Sequence, residues 1–586
     1  MNTPHAPVAP ADDHAGDITA KQFAIGLACV AGVALLLRLL FPLADPPWHT
    51  PVGVVWHDEG AWTHNARNRA LFGVWQLDAW NPMFLAPVFT GLEYLSFWLL
   101  GTGLWQARIV SEIAGFSSVL LLALAMRRAA NRTTGLVAGA LMATNYVWVM
   151  WSRAALMEAS MVAFMVAAFY AYVRASRTPA WGLIAGLCAV VAFFTKASAA
   201  FFLVALGVEA LVALAIGWPR GHRDPDGTPA AKHARRAAVF TLAGLAVSSI
   251  VAAAVFVIPY WTEFRFYNWQ MSVTRKPSYS LRAFRDRLSW FPIVHDFFTR
   301  MWMMLLLAMG GLTQILVRWR TAMAAERLLV LWFALGCAEL LVHDVGNERR
   351  LVFLIPPLAG LAALVLGRDR RLLPTELATV PLRKALIGSP YVLLVFYLLI
   401  GSIVRLAFLY EVQPGVRAAA LGAVVLTALM YGTWPRMVHE LSKDRWPERA
   451  VVLLLAMVLT GDVLQYAQWA ASRTFLNYEA MLAVGQALPP GTLVHGKLAN
   501  GLALENRIRP VFIGRGFGNY DDRLTRDDIK YVLTYTRPSV GYEGPVIRDV
   551  LEAYRWHVVR RFSVAESPEG DDEAVLIQKD GPRQRR

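Results

Sequence analysis

Residues 23–43 read FAIGLACVAGVALLLRLLFPL, about 20 residues of apolar sequence broken only by Arg38. A helix of that length covers the ~30 Å hydrocarbon core of a bilayer. No small-residue cleavage site follows it, so the stretch reads as an uncleaved first span and not as a signal peptide. Further apolar runs follow at about 107–126, 134–152, 157–173, 180–195, 198–217, 238–260, 299–317, 327–342, 351–367, 387–409, 417–433 and 449–470, which makes 13. The composition agrees. Of 586 residues, 56% are apolar and only 17% charged, against about 25% charged in soluble domains; the mean hydropathy is +0.42. Cys29, Cys188 and Cys337 each lie within an apolar run and read as small apolar residues, without disulfide or metal.

The net charge of +15 raises the question of nucleic acid, which its distribution answers. The segment from Phe84 to Leu100 is short and carries Pro87 and Glu93. If it lies in the interface and does not cross, six basic loops fall on one face: Arg127/Arg128/Arg132, Arg174/Arg177, Arg220 to Arg236, Arg318 to Arg327, Arg368 to Lys384 and Arg436 to Arg449. They hold 22 Lys/Arg against 8 Asp/Glu, a net of +14. By the positive-inside rule that face is the cytoplasm. A bilayer thus explains the charge, and no nucleic-acid partner is needed. Residues 1–21 read as a disordered cytoplasmic tail, and 13 spans then place everything from Ala471 onward outside.

That last part changes character. Apolar β-type runs at 493–495, 509–513, 529–535, 556–564 and 574–577 alternate with helical stretches at 478–488 and 545–554, separated by Gly and Pro. The expected fold class is an all-α polytopic membrane protein with a small C-terminal extracytoplasmic α/β domain. The expected units are 1–21, a catalytic transmembrane module over 22–260, a basic outer loop with a variable transmembrane module over 261–470, and the external domain over 471–586. The glycines of Gly514-Arg515-Gly516-Phe517-Gly518 have the wrong spacing for a dinucleotide fingerprint and read as a loop.

The first outer loop, residues 44–106, holds five acids against two bases. At its centre stands Trp56-His57-Asp58-Glu59-Gly60-Ala61-Trp62-Thr63-His64-Asn65-Ala66-Arg67-Asn68. Asp58 either caps the following helix, or one carboxylate takes a proton from a nucleophile at the membrane surface while its neighbour orients it or holds a metal. Glu158, in the outer turn Ser152-Arg153-Ala154-Ala155-Leu156-Met157-Glu158, sits at the hydrocarbon boundary, where ionisable groups usually face a protein or water-filled cavity. A structural pair of Arg153 with Glu158 is the plainer alternative. Lys196, closing the run Ala192 to Lys196, suits an anionic lipid headgroup or else snorkels to the interface.

Taken in order, Asp58-Glu59-Gly60 with Asn65-Ala66-Arg67, Trp105-Gln106-Ala107-Arg108, Ser152-Arg153 with Glu158, Phe194-Thr195-Lys196, and Arg349-Arg350-Leu351 to Pro356-Pro357-Leu358 resemble the GT-C membrane glycosyltransferases. The group is that of the lipid A aminoarabinose transferases and protein O-mannosyltransferases, and the resemblance covers about residues 20–360. It implies a GT-C fold of about 13 transmembrane helices and a polyprenyl-phosphate-linked sugar donor bound from the outer leaflet. It also implies transfer to a lipid, protein or glycan acceptor on the external face of a bacterial-type plasma (inner) membrane. By position it implies Asp58 as catalytic base with Glu59 as partner, Glu158 as a further catalytic acid, and Lys196 with Arg349 or Arg350 at the donor phosphate; His57, Arg67 and Arg153 support them. The aminoarabinose-type relatives carry a His-Lys-Pro-Pro segment whose Lys helps to hold that phosphate. This chain reads Trp80-Asn81-Pro82-Met83 and has no lysine there.

Residues 261–300 are expected outside yet carry a net charge of +4, with aromatic residues interleaved as in a loop lying on headgroups. Arg275 and Lys276 are the first candidates to hold the donor phosphate, against non-specific attraction to anionic lipid. His295 beside Asp296 is a weak candidate metal ligand; no cofactor is certain, and a divalent metal is possible. A phosphate ester is a good leaving group, so one carboxylate base without a covalent nucleophile predicts inversion at the anomeric carbon. The rival is a transporter or flippase of lipid-linked sugars. Such proteins usually show two similar halves, and none are visible here.

Overall fold

In the computed structural model, the described residues are 17–47, 56–216, 229–270, 297–342, 348–370, 445–536, 543–566 and 572–583. The expected spans at 387–409 and 417–433, the candidates Arg275, Lys276 and His295, and most of the N-terminal tail lie outside them.

The first helix, α1 (Ala20–Leu39), opens with a reciprocal cap: the Thr19 hydroxyl accepts from the Gln22 backbone N–H while the Gln22 side chain accepts from that of Thr19. A short polar helix, α2 (Asp58–Phe72), and an apolar one, α3 (Pro87–Leu100), follow it. α3 has Pro87 in its first turn and only 14 residues, too few to cross. The bundle continues with α4 (Leu104–Ala129), α5 (Arg132–Thr144), α6 (Tyr146–Trp151), α7 (Met157–Ala175), α8 (Trp181–Thr195), α9 (Ala200–Ile216), α10 (Pro229–Ala252), α11 (Trp261–Trp269), α12 (Trp302–Val317), α13 (Ala324–Val342) and α14 (Ile355–Leu364). A last long helix, α15 (Glu448–Ala471), leads to the C-terminal domain.

Among the described residues, six helices are long and apolar enough to cross a membrane. The run 134–152, read as one span, is broken at Asn145. Its side chain accepts from the Trp148 N–H and starts α6 afresh, with a non-helical ψ of 113°. Helix exposure separates the lipid-facing elements from the centre. In the apolar stretch His233–Val257 only 11% of the most apolar 18 residues are buried, whereas in Arg349–Arg368 94% are. The latter is the hub of the bundle, and its lead-in, a 3₁₀ turn over Glu348–Leu354, carries Arg349 to one end of it. α8 and α10 cross so closely that a Cβ on Gly186 would lie 2.3 Å from the Leu245 nitrogen, the small-residue contact typical of helices packed in lipid.

The C-terminal domain holds α16 (Leu476–Ala487), α17 (Lys497–Gly501), α18 (Asp522–Thr525) and α19 (Glu543–Ala553) around strands β1 (Leu493–His495), β2 (Arg509–Val511), β3 (Tyr531–Tyr535), β4 (Tyr554–Ser563) and β5 (Glu573–Pro582). The sheet order is β2-β1-β3-β5-β4, with β1 parallel to β2 and β3 and the remaining pairs antiparallel. Gly514 to Gly518 form a 3₁₀ turn ended by Gly518 at φ +73°, so the glycines serve a loop. The domain sits on the loop after α1. Asp45 accepts from the Thr474 hydroxyl and from the N–H groups of Leu476 and Asn477. The Trp56 indole donates to the Ala565 carbonyl, and Asp78 accepts from the Phe512 N–H.

Candidate active site

The site is built where α2, the start of α7, the turn after α8, the 3₁₀ turn before α14 and α17 converge. Asp58 is the first residue of α2. His57 is the N-cap and makes no side-chain cap, so the capping reading of Asp58 is not what the geometry shows. Instead the Arg349 guanidinium donates to Asp58 Oδ2 at 2.8 Å, and Lys497 Nζ lies 3.3 Å from Oδ1. The same Arg349 reaches Glu158 Oε1 at 3.5 Å, and Lys196 donates to that oxygen at 2.5 Å. Two carboxylates and three cations from five separate parts of the chain thus form one continuous cluster.

Each element brings its residue for a local reason. α8 ends at Lys196, whose extended backbone (φ −158°, ψ 126°) stops the helix and turns the side chain toward Glu158 rather than outward to the interface. Glu158 stands in the first turn of α7, where the helix dipole favours an anion. Pro356 and Pro357 open α14 and leave the preceding turn in the 3₁₀ form that carries Arg349. Arg350 faces Lys196 closely enough for the two cations to repel.

Burial disfavours the charge on Asp58, but Lys497, then Arg349, outweigh it and hold the carboxyl below the usual carboxylate range. His57 is fully buried. Burial first, and the Lys497 charge second, push its pKa down to about 3, so the ring is neutral. Its Nε2 lies 3.9 Å from Asp58 Oδ1.

The other expected residues take different places. Glu59, adjacent to Asp58, accepts two bonds from Arg108 at 2.8 Å each and a third from the Ala155 N–H at 2.8 Å. Arg153 does not pair with Glu158. It donates to the carbonyls of Leu37, Arg38 and Phe41 and lies over the Trp469 ring. Arg67 donates to the carbonyls of Ala503, Asn506 and Ile508, fastening the C-terminal domain to α2. Asn81, in the place of the relatives' Lys, bonds to Tyr267, Asn65 and the Asp78 carbonyl. Among the described residues no group of three or more His, Cys, Asp or Glu could hold a metal ion. The acids of the cluster are matched with cations, so the described residues of the cluster do not form a metal site.

No sequence signal marks Lys497. It stands in an unremarkable Gly-Lys-Leu stretch of another domain, and only the docking of that domain brings it here. Arg108 was visible as part of a motif, but not as the partner of Glu59.

Residues 85–221 match the family described as dolichyl-phosphate-mannose-protein mannosyltransferase. Over that segment the chain is similar to this family of glycosyltransferases. No curated protein matches it. Among solved structures, it is similar to ArnT from Cupriavidus metallidurans bound to undecaprenyl phosphate, at 15% identity and a TM-score of 0.49 over 95% of this chain and 98% of that one. It is also similar to the oligosaccharyltransferase AglB from Archaeoglobus fulgidus in complex with an inhibitory peptide and a dolichol-phosphate, at 12% identity and a TM-score of 0.45 over 92% and 73%. The Pmt1-Pmt2 O-mannosyltransferase complex of S. cerevisiae bound to the sugar donor matches at 17% identity and a TM-score of 0.32 over 42% and 34%.

Proposed function

We propose that this protein transfers a sugar from a polyprenyl-phosphate-linked donor to an acceptor hydroxyl at the extracytoplasmic surface of the membrane, with inversion at the anomeric carbon. The observation that carries the reading is the single cluster in which Arg349 bridges Asp58 and Glu158. It joins a carboxylate held ionised to cations that a phosphate can share.

The acceptor oxygen attacks C1 of the sugar while the bond from C1 to the phosphate oxygen breaks. The acceptor proton passes to Asp58, and polyprenyl phosphate departs with the electron pair of the broken bond. Arg349 and Lys196, 14% and 19% exposed at their side chains, are accessible enough to meet the leaving phosphate and stabilise its charge. Glu158 holds both in place. An apolar groove of about 560 Å³ between α3, α8 and α10 is lined by Val190, Val191 and Phe194. Its lining residue Phe194 stands two positions before Lys196 in the chain, which favours this groove as the surface for the prenyl chain.

The test is an incubation of the purified full chain with polyprenyl-phosphate-linked hexoses and pentoses, using detergent-solubilised cell membranes as the source of acceptor. Free polyprenyl phosphate is expected with the native chain and not with Asp58→Asn. Release that is indifferent to Asp58, or retained configuration in the product by NMR, overturns the reading.

A further inference from the structure

The segment Gly496–Gly501 is built against the start of α2. Gly496 has φ +126°, and a Cβ there would lie 2.3 Å from the Leu533 carbonyl oxygen. A Cβ on Gly60 would lie 1.9 Å from the Asn500 carbonyl oxygen, and one on Gly501 2.7 Å from the His57 Cβ. The two chain segments therefore meet backbone to backbone, at a distance that only glycine permits. The three bonds from Arg67 to Ala503, Asn506 and Ile508 fasten the stretch that follows. This fixes α17 at its first residue, Lys497, whose ammonium faces Asp58 Oδ1 while Arg349 occupies Oδ2.

We infer that Lys497 is a positioning residue of the transferase site, supplied by the C-terminal domain, and that the site is complete only when that domain is seated on α2. The inference rests on Asp58 being the base.

A carboxylate shut away from water takes up a proton unless cations replace its lost hydration. Without Lys497, the cations that touch the two carboxylates Asp58 and Glu158 among the described residues are Arg349 and Lys196. A donor phosphate competes for both cations, and Asp58 would be left to protonate before the acceptor arrives. Lys497 is the third cation, and it keeps Asp58 ionised and oriented while Arg349 turns to the phosphate. Among the described residues, the groups facing Asp58 are His57 from its own turn, Arg349 from the 3₁₀ turn and Lys497 from α17; Glu158 and Lys196 lie one contact further on. Both cations favour the charged form of Asp58, Lys497 through its charge and Arg349 through its charge and its hydrogen bond.

The test compares Lys497→Met, Lys497→Arg and Asp58→Asn in the full chain, following polyprenyl phosphate release against pH with the donors named above. For Lys497→Met, turnover at neutral pH falls by about 10- to 100-fold, while KM for the donor stays within about twofold. The acid limb of the rate profile moves to higher pH, so the loss recovers as pH is raised. Lys497→Arg restores most of the rate and the native limb. A purely structural defect would not shift the limb or recover at high pH. An unmoved limb in Lys497→Met, with or without a raised donor KM, overturns the inference when Asp58→Asn is inactive. An active Asp58→Asn overturns the base reading itself. If Lys497→Met fails to fold, Lys497→Gln takes its place and is judged by the same limb.

Discussion

Asp58 and Glu59 are neighbours, both shut away from solvent, and they are held in opposite ways. Glu59 faces one guanidinium, Arg108, through two parallel bonds, and a backbone N–H completes its shell. Asp58 has one oxygen for Arg349 and the other for Lys497, which come from two different parts of the chain and are 14% and 24% exposed at their side chains. At another point of the bundle, Glu209 and Arg327 repeat the Glu59 arrangement, with bonds of 2.7 and 3.1 Å and side chains 0% and 6% exposed. A fork-to-fork pair closes on itself and has no room for a reactant. A carboxylate between two single-point cations can exchange either of them for a substrate group. The difference teaches that local charge alone does not separate these two neighbouring acids; the number of separate cations each one meets does.

Substitution of the two acids breaks the comparison most sharply. Asp58→Asn is expected to lower turnover by about 10² to 10⁴ while the melting temperature in detergent stays near that of the native chain, since the amide keeps the volume of the acid. Glu59→Gln, assayed beside it, is expected to lose stability first. Equal losses of turnover with equal melting temperatures would mean that the two acids share the chemistry. Arg108→Met goes further, because it strands the Glu59 charge in a buried site. A destabilisation of about 3–5 kcal/mol is expected, read from thermal unfolding. A native melting temperature with abolished turnover would move the Glu59 pair into the reaction.

Part of this was legible in the chain and part was not, for separable reasons. Apolar length and Pro87 distinguish the short α3 from a span, and β-type runs bounded by Gly and Pro locate the strands around Val494, Val532 and Leu576. These are local signals. Asp58, Glu158, Lys196 and Arg349 could be named because each stands beside a span end in a recognisable order, and they meet in one cluster. The partner of each could not be named. Arg153 was set against Glu158 by proximity in sequence, but the end of α1 offers it three carbonyls. Asn145 divides a run that looks continuous because the hydropathy of one amide is outweighed by its apolar neighbours. Lys497 depends on how two domains dock, which no window of sequence contains.

The docking itself can be sharpened at Gly60. Gly60→Ala puts a methyl group against the Asn500 carbonyl, and backbone on both sides cannot yield as a side chain would. A cost of about 1–3 kcal/mol is expected, concentrated at the junction. Hydrogen exchange should rise across residues 497–508 and leave α4 and α7 unchanged. If exchange at 497–508 stays native, the domain is held by contacts other than the meeting of α2 with α17.

The smallest effect, and the one that separates junction from bundle without mutation, is that of pH. His57 and His495 flank the meeting of α2 with the sheet, and burial pushes each down to about 3, with Lys497 adding to the effect at His57 and Lys579 at His495. A histidine whose pKa is lowered on folding binds its proton more readily in the unfolded chain. Its contribution is therefore whole above the ordinary value of 6.5 and is lost progressively as pH falls toward 3. The loss is on the order of 1 kcal/mol for each histidine one unit below 6.5. Asp45, raised by burial, acts in the opposite sense, so over the interval from about 6.5 to 5 the histidine part is read from the difference between the native chain and His495→Asn. Over that interval exchange at the junction should rise while the Glu59–Arg108 region stays protected, and His495→Asn should flatten the dependence. A uniform response of both regions would show that the domain and the bundle unfold as one unit.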